Sequence, residues 1–200
     1  ANTAILENIQ ALNANFDASG VGDEFKLLYS EGSRARITDF QLLEKVLAPG
    51  GSVRLSSFGG RPSDGNLPFF NLAKPGDDGV VIGVGWTGQW AASFSHQSSG
   101  QVNVQAGMET THLRLHPGEE IRTPAVLMMF WQGPDRLRGQ NLLRRLLLRH
   151  YTPTIDGKPV EPPSAASPHA VVAFEGTTAE NMIRAIRNVA AHELPLDTWW

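Results

Sequence analysis

Cysteine is absent from the 200 residues. That excludes a disulfide framework, thiolate catalysis and any zinc site needing a sulfur ligand. An excess of positive charge is missing too: 17 Lys and Arg face 20 Asp and Glu, for a net charge of -3. With an isoelectric point near 6.1, no broad basic face is left to displace counterions from a polyanion, so no nucleic-acid partner is expected. No run reaches the ~18 apolar residues of a membrane span, and no signal-peptide pattern opens the chain, so no membrane partner is expected. A G-x-S-x-G nucleophile elbow is lacking as well. The cytoplasm is the favoured compartment, on the cysteine-free composition.

What is present reads as β. Hydrophobic residues make up 41%, enough for a core once 20 glycines and 13 prolines are assigned to turns. Glu24–Tyr29 and Thr38–Leu47 are apolar-rich, the second also fitting a short helix by period. Ser52–Ser56 alternates, and Ser57–Asn66 is dense in turn residues and reads as a loop. Leu67–Leu72, Val80–Trp86, Gln89–Phe94, Gln101–Ala106 and Thr111–His116 continue the strand pattern. Ala125–Trp131 (AVLMMFW) reads as a strand buried on both faces. Short strands at this spacing indicate a sandwich or barrel.

After residue 133 the pattern changes. Gly139–His150 carries Leu142, Leu143, Leu146 and Leu147 at helical spacing, with arginines on the other side. Pro153, Pro159, Pro162, Pro163 and Pro168 make the next stretch a stiff connector. Ala170–Phe174 reads as a buried strand, Thr177 and Glu180 fit a capping box, and Met182, Ile183, Ile186, Val189 and Ala190 stripe the following helix. Leu194–Trp200 begins another strand, so the segment reads as a βαβ unit with a parallel pair. Both ends run apolar (Ile5, Leu6 and Ile9 at one, Trp199 and Trp200 at the other), and the chain is expected to be an internal piece.

Two motif matches lose to plainer readings. Gly83–Gly88 satisfies G-x-G-x-x-G, but strand rather than helix follows it, and Trp86 fills the place a phosphate would need. His112 and His116 lie four apart in a strand pattern, which separates them by ~13 Å, too far for one zinc.

Several stretches together resemble the melibiase-type alpha-galactosidases. They are Gly59–Phe70 (GGRPSDGNLPFF), Val84–Trp90 (VGWTGQW), Gly107–Pro124 (GMETTHLRLHPGEEIRTP), Asn141–Arg145 (NLLRR), Leu147–Tyr151 (LLRHY) and Leu196–Trp200 (LDTWW). The resemblance implies a mainly β chain. Residues 1–133 would be the later part of an antiparallel β-supersandwich, 134–168 a helical and Pro-rich connector, and 169–200 the first βα unit of a (β/α)8 catalytic barrel. It also implies a retaining glycoside hydrolase that cleaves terminal alpha-linked galactose from oligosaccharides. In such enzymes two carboxyl groups about 5–5.5 Å apart act as nucleophile and acid.

Both family aspartates belong to later barrel strands, so no catalytic residue is expected among these 200, and the segment alone is expected to be inactive. The substrate-binding candidates are Glu175, Gly176 and Thr177, at the C-terminal end of the first barrel strand, and Asp64 and Asn66, in the turn-rich loop. Phe174-Glu175-Gly176 stands where relatives carry an Asn-Trp pair, which opens the sugar specificity. The alternatives are an alpha-N-acetylgalactosaminidase, a galactosyl-transferring relative, or a non-catalytic carbohydrate-binding or scaffolding sandwich. Expected partners are an alpha-galactoside or related sugar, the remainder of the parent chain, and further copies in a homo-oligomer. No cofactor and no metal is expected.

Overall fold

The computed structural model describes residues 1–17, 24–74, 78–167 and 177–199, which fall into two compact units, Ala1–Arg149 and His150–Trp200. In the first unit, one five-stranded sheet has the order β2 (Gln10–Asp17), β10 (Gln101–Met108), β9 (Trp90–His96), β5 (Ser52–Phe58), β6 (Arg61–Gly65). The second has the order β12 (Ala125–Gln132), β8 (Asp78–Gly85), β7 (Phe69–Lys74), β3 (Phe25–Ser30), β4 (Leu42–Leu47). Every pairing within both sheets is antiparallel. A short ribbon joins β1 (Leu6–Glu7) to β11 (His112–Leu113).

The side-chain period of two builds the sandwich. Along β9, Trp90, Ala92, Phe94 and His96 are buried, while Ala91, Ser93 and Ser95 between them are half-buried. Leu12, Leu27, Leu55, Leu72, Ile82, Val102 and Val104 join those rings in one core. Phe70 meets Phe94 and Trp90 edge-on, with centroids 5.2 and 5.7 Å apart. Burying such a ring stabilises the fold by about 1.5–3 kcal/mol.

Helix α1 (Leu137–His150) belongs to the outer face of the second sheet. Leu142 and Leu143 pack on Ala73, Val81 and Trp131. The Trp131 Nε1–H donates to Asn71 Oδ1 at 2.8 Å, and Asn71 Nδ2 donates to Gln140 Oε1 at 2.8 Å. Gly139 is what lets the helix approach: a Cβ there would sit 2.8 Å from the Trp131 ring. Glu44 on β4 pairs with Arg136 just before the helix.

Four expectations need correction in this unit. Ala125–Trp131 is not buried on both faces. It forms the edge strand β12, and Met128 and Phe130 are 42% and 69% exposed because the facing sheet ends at β2. A groove of about 750 Å³, walled by Phe16, Met128 and Phe130, opens there. Ser57–Asn66 is mostly a hairpin rather than a loop: Gly59 and Gly60, at φ 59 and 71, turn β5 into β6. Both left-handed values match a two-residue type I′ connection. Thr38–Phe40 is a turn, and strand begins at Leu42. The alternation over Thr111–His116 yields only the two residues of β11, which pair with the two residues of β1.

In the second unit, β13 (Thr154–Ile155) and β14 (Lys158–Pro159) form a hairpin through Asp156 and Gly157, both at positive φ, where an extended connector was expected. β15 (Ala165–Ala166) pairs in parallel with β16 (Thr198–Trp199), with helix α2 (Ala179–Ala191) between them in sequence. Among the described residues, the parallel pair flanking α2 is Ala165–Ala166 with Thr198–Trp199. The expected strand Ala170–Phe174 lies outside the described residues, as does Trp200. The cap of α2 is one residue later than expected: Thr178 Oγ1 accepts from Asn181 N at 3.3 Å, which puts Glu180 in the first turn rather than in a capping box. Ala185 is the buried residue of α2, whereas Ile183 and Ile186 are half exposed.

Candidate functional site

The β5–β6 hairpin presses against the segment Glu31–Gln41 through main chain. Gly32 N donates to Gly65 O at 2.9 Å, Ser33 N to Ser63 O at 2.8 Å, and Leu67 N to Ser30 O at 3.1 Å. The approach is so close that a Cβ on Gly32 would lie 2.0 Å from Ser63 O. Gly65, at φ 86, has the Phe58 ring where its own Cβ would be. Asn66 forms a bridge to Glu31 and is half-buried.

Charge locks the same junction. The Asp64 carboxylate is buried; Arg61 bonds it from two residues beyond the turn's first glycine, and Arg34 Nε lies 3.4 Å from it. The Arg34 guanidinium also stacks 4.4 Å above the Phe58 ring, a cation–π contact. Arg34 N donates to Asp39 Oδ1 at 2.9 Å. That bond holds the Asp39 carboxyl below its ordinary range; partial desolvation works against it, and the Arg36 and Ala35 amides and the Ser33 hydroxyl add to it. Ile37 and Phe40 remain exposed at the tip of the turn.

A second polar network starts at the hairpin tip. Gly60 N donates to Gln89 Oε1 at 3.2 Å, and Gln89 Nε2 donates in turn to Glu109 Oε2. Arg54 Nη1 donates to Glu109 Oε1 at 2.7 Å. Burial pushes the Glu109 carboxyl up, but the bonds from Gln89 and Arg54, the Arg54 charge and the Ser56 hydroxyl outweigh it, and the group titrates below the usual carboxylate range. The Trp90 indole N–H donates to Pro62 O at 2.7 Å, which ties the hairpin to the core.

Of the sequence-expected site residues, Asp64 and Asn66 are therefore neighbours on one hairpin. Thr177 is exposed just before the cap of α2. Glu175 and Gly176 lie outside the described residues. Sequence reasoning missed Arg34, Arg54 and Glu109. Their partners are 30, 55 and 20 to 55 positions away, a separation that no local pattern encodes. Neither His112 nor His116 meets the other: His112 faces Glu7 and His116 faces Asn2.

Against known structures the sandwich has clear counterparts. The fold is that of the β-sandwich region of alpha-galactosidases. The galactosidase domain of alpha-galactosidase-sucrose kinase superposes at a TM-score of 0.74 with 18% identity, over 98% of this chain and 26% of its own. The GH36 alpha-galactosidase AgaA of Geobacillus stearothermophilus gives 0.67 with 21% identity, over 94% and 25%. The alpha-galactosidase of Lactobacillus brevis gives 0.66 with 18% identity, over 94% and 24%. Variants of AgaA have been solved with stachyose and with raffinose. The chain thus spans about a quarter of the length of the structures it matches, and it corresponds to their β-sandwich region. No family model and no curated protein matches the sequence.

Proposed function

We propose that these residues are the sandwich, connector and first barrel elements of a retaining alpha-galactosidase. The observation that carries the reading is the likeness of fold over nearly the whole chain, continuing past the sandwich into the βαβ unit. In this reading residues 1–133 are supersandwich, 134–168 connector and 169–200 barrel. The nucleophilic and acid aspartates lie beyond the chain. Glu175, Gly176 and Thr177 stand at the rim of the sugar pocket, and the Asp64–Asn66 hairpin reaches toward sugar. Its buried Asp64 serves as a positioning residue that holds Arg34 and Arg61 in place. The substrate is a terminal alpha-galactoside of the raffinose type.

The enzyme acts as a homo-oligomer. Support comes from Ile37 and Phe40, exposed at one loop tip beside the hairpin, where a partner surface would shield them from water. Phe174-Glu175-Gly176, in place of the family's Asn-Trp pair, leaves the specificity open between alpha-linked galactose and alpha-linked N-acetylgalactosamine.

Expressing the parent reading frame and assaying chromogenic alpha-galactoside beside alpha-N-acetylgalactosaminide tests the reading. Turnover of either is expected from the parent and of neither from residues 1–200. A parent protein inert toward both, or an active purified fragment, overturns it.

A further inference from the structure

The outward face of the β2-β10-β9-β5 sheet carries mostly amide and hydroxyl side chains. Cross-strand register sets its side chains in rows: Asn13, Gln105, Ser93 and Arg54 form one, and Asn15, Asn103, Ser95 and Ser52 the next. These positions alternate with the core residues Leu12, Val104, Phe94 and Leu55, so all of them point away from the core. Asn103 Nδ2 donates to Asn13 Oδ1 at 3.1 Å and to Asn15 Oδ1 at 2.8 Å, which fixes the amides of one strand pair.

The following row is low. Gly107 and Ala91 lie side by side there, and β2 bulges where its register shifts at Ala106/Gly107. A Cβ on Gly107 would come 2.0 Å from Ile9 O. The result is a depression of about 100 Å³ walled by Asn8, Gln10, Arg54, Ser93, Gln105 and Glu109.

We infer that this depression binds one pyranose unit of a neutral oligosaccharide, the rest of which lies along the amide rows. Charge decides the ligand class. Arg54 and Glu109 neutralise each other through their 2.7 Å bond, and the other polar walls are amides and a hydroxyl. The pocket therefore offers donors and acceptors in quantity with no net charge, which suits a polyol and gives neither an anion nor a cation an advantage. A protein partner is a poorer match, since interface cores are apolar and aromatic and the rows carry neither kind of side chain. Glu109 is held ionised and oriented by Arg54 and Gln89, so it stands ready to accept from sugar hydroxyls.

The site uses no barrel residue, so it stands or falls apart from the hydrolase reading. The test uses residues 1–200, which are expected to hydrolyse nothing. Raffinose is titrated into ¹⁵N-labelled protein, with galacturonate as the charged comparison. Saturable shifts centred on Ser93, Gln105 and Glu109 are expected, with a millimolar Kd and weaker binding of galacturonate. Ala91→Leu fills the floor and should raise the Kd at least about tenfold, and Gln105→Ala, which removes one bonding group and leaves the floor open, about fivefold. The amide spectrum of each variant reports whether it has folded.

No saturation up to about 100 mM raffinose overturns the proposal. Unchanged binding by a folded Ala91→Leu variant, or tighter binding of galacturonate, does the same. So does concentration-dependent self-association that Ala91→Leu abolishes, which would make the face an interface between copies.

Discussion

Replacing Trp131 by phenylalanine should loosen α1 from the sandwich by an amount the structure allows one to work out. Trp131 is 5% exposed and Asn71 is 2% exposed. Removing the indole N–H leaves Asn71 Oδ1 without its 2.8 Å donor in a place closed to water, at a cost of about 1–3 kcal/mol. The missing ring atoms give up contact with Gly139 and Val81 and add about 1 kcal/mol. Together the loss is about 2–4 kcal/mol, which for a unit of roughly 150 residues lowers Tm by about 5–15 °C. Asn71→Leu attacks the same bond from the other side and also strips Gln140 of its donor. The two substitutions share one interaction, so a double-mutant cycle in urea should show a coupling of about 1–2 kcal/mol. Amide exchange should quicken in α1 before it does in β9 or β10. A coupling under about 0.5 kcal/mol, or uniform exchange across the sandwich, would refute the claim that this network anchors the helix.

Two further outcomes are expected. The Glu109 carboxyl titrates below the ordinary glutamate range in the folded protein, so its contribution is fully present above that ordinary range and is lost as pH falls through the lower folded pKa. Unfolding of Glu109→Gln followed from pH 6 to pH 3 should therefore show a shallower pH dependence than wild type, and parallel curves would count against it. Thr178→Ala should cost α2 about 1 kcal/mol and Thr177→Ala only a few tenths, read by helical circular dichroism. Equal effects would return the cap to Thr177.

Much of this fold was legible because a period of two needs only neighbours. The strands at β5, β8, β9 and β10 follow from alternation or apolar runs, and α1 from its leucine spacing. What stayed hidden depended on partners distant in sequence. AVLMMFW reads as doubly buried on composition, yet whether Phe130 meets a facing strand is settled by where the other sheet ends. Asp156-Gly157 is a hairpin signal that the surrounding prolines obscured. The cap at Thr178 rather than Thr177 turned on which of two adjacent threonines leaves the helix first. At the site, Asp64 and Asn66 stand out from the turn-rich stretch that reads as a loop, whereas the arginines that seize Asp64 and the pair Arg54–Glu109 come together only through sheet order.

The junction between the 31–41 segment and the hairpin has a consequence for how such a surface can change over generations. Its position is written in amide-to-carbonyl bonds and in the bareness of Gly32 and Gly65, features indifferent to what the exposed neighbours display. Ser63 and the flanking Arg36 and Ile37 can thus be exchanged without dislodging the scaffold beneath them, whereas a single methyl on Gly32 would pry the two segments apart. Variation is cheap in the ornament and forbidden in the hinge-pin.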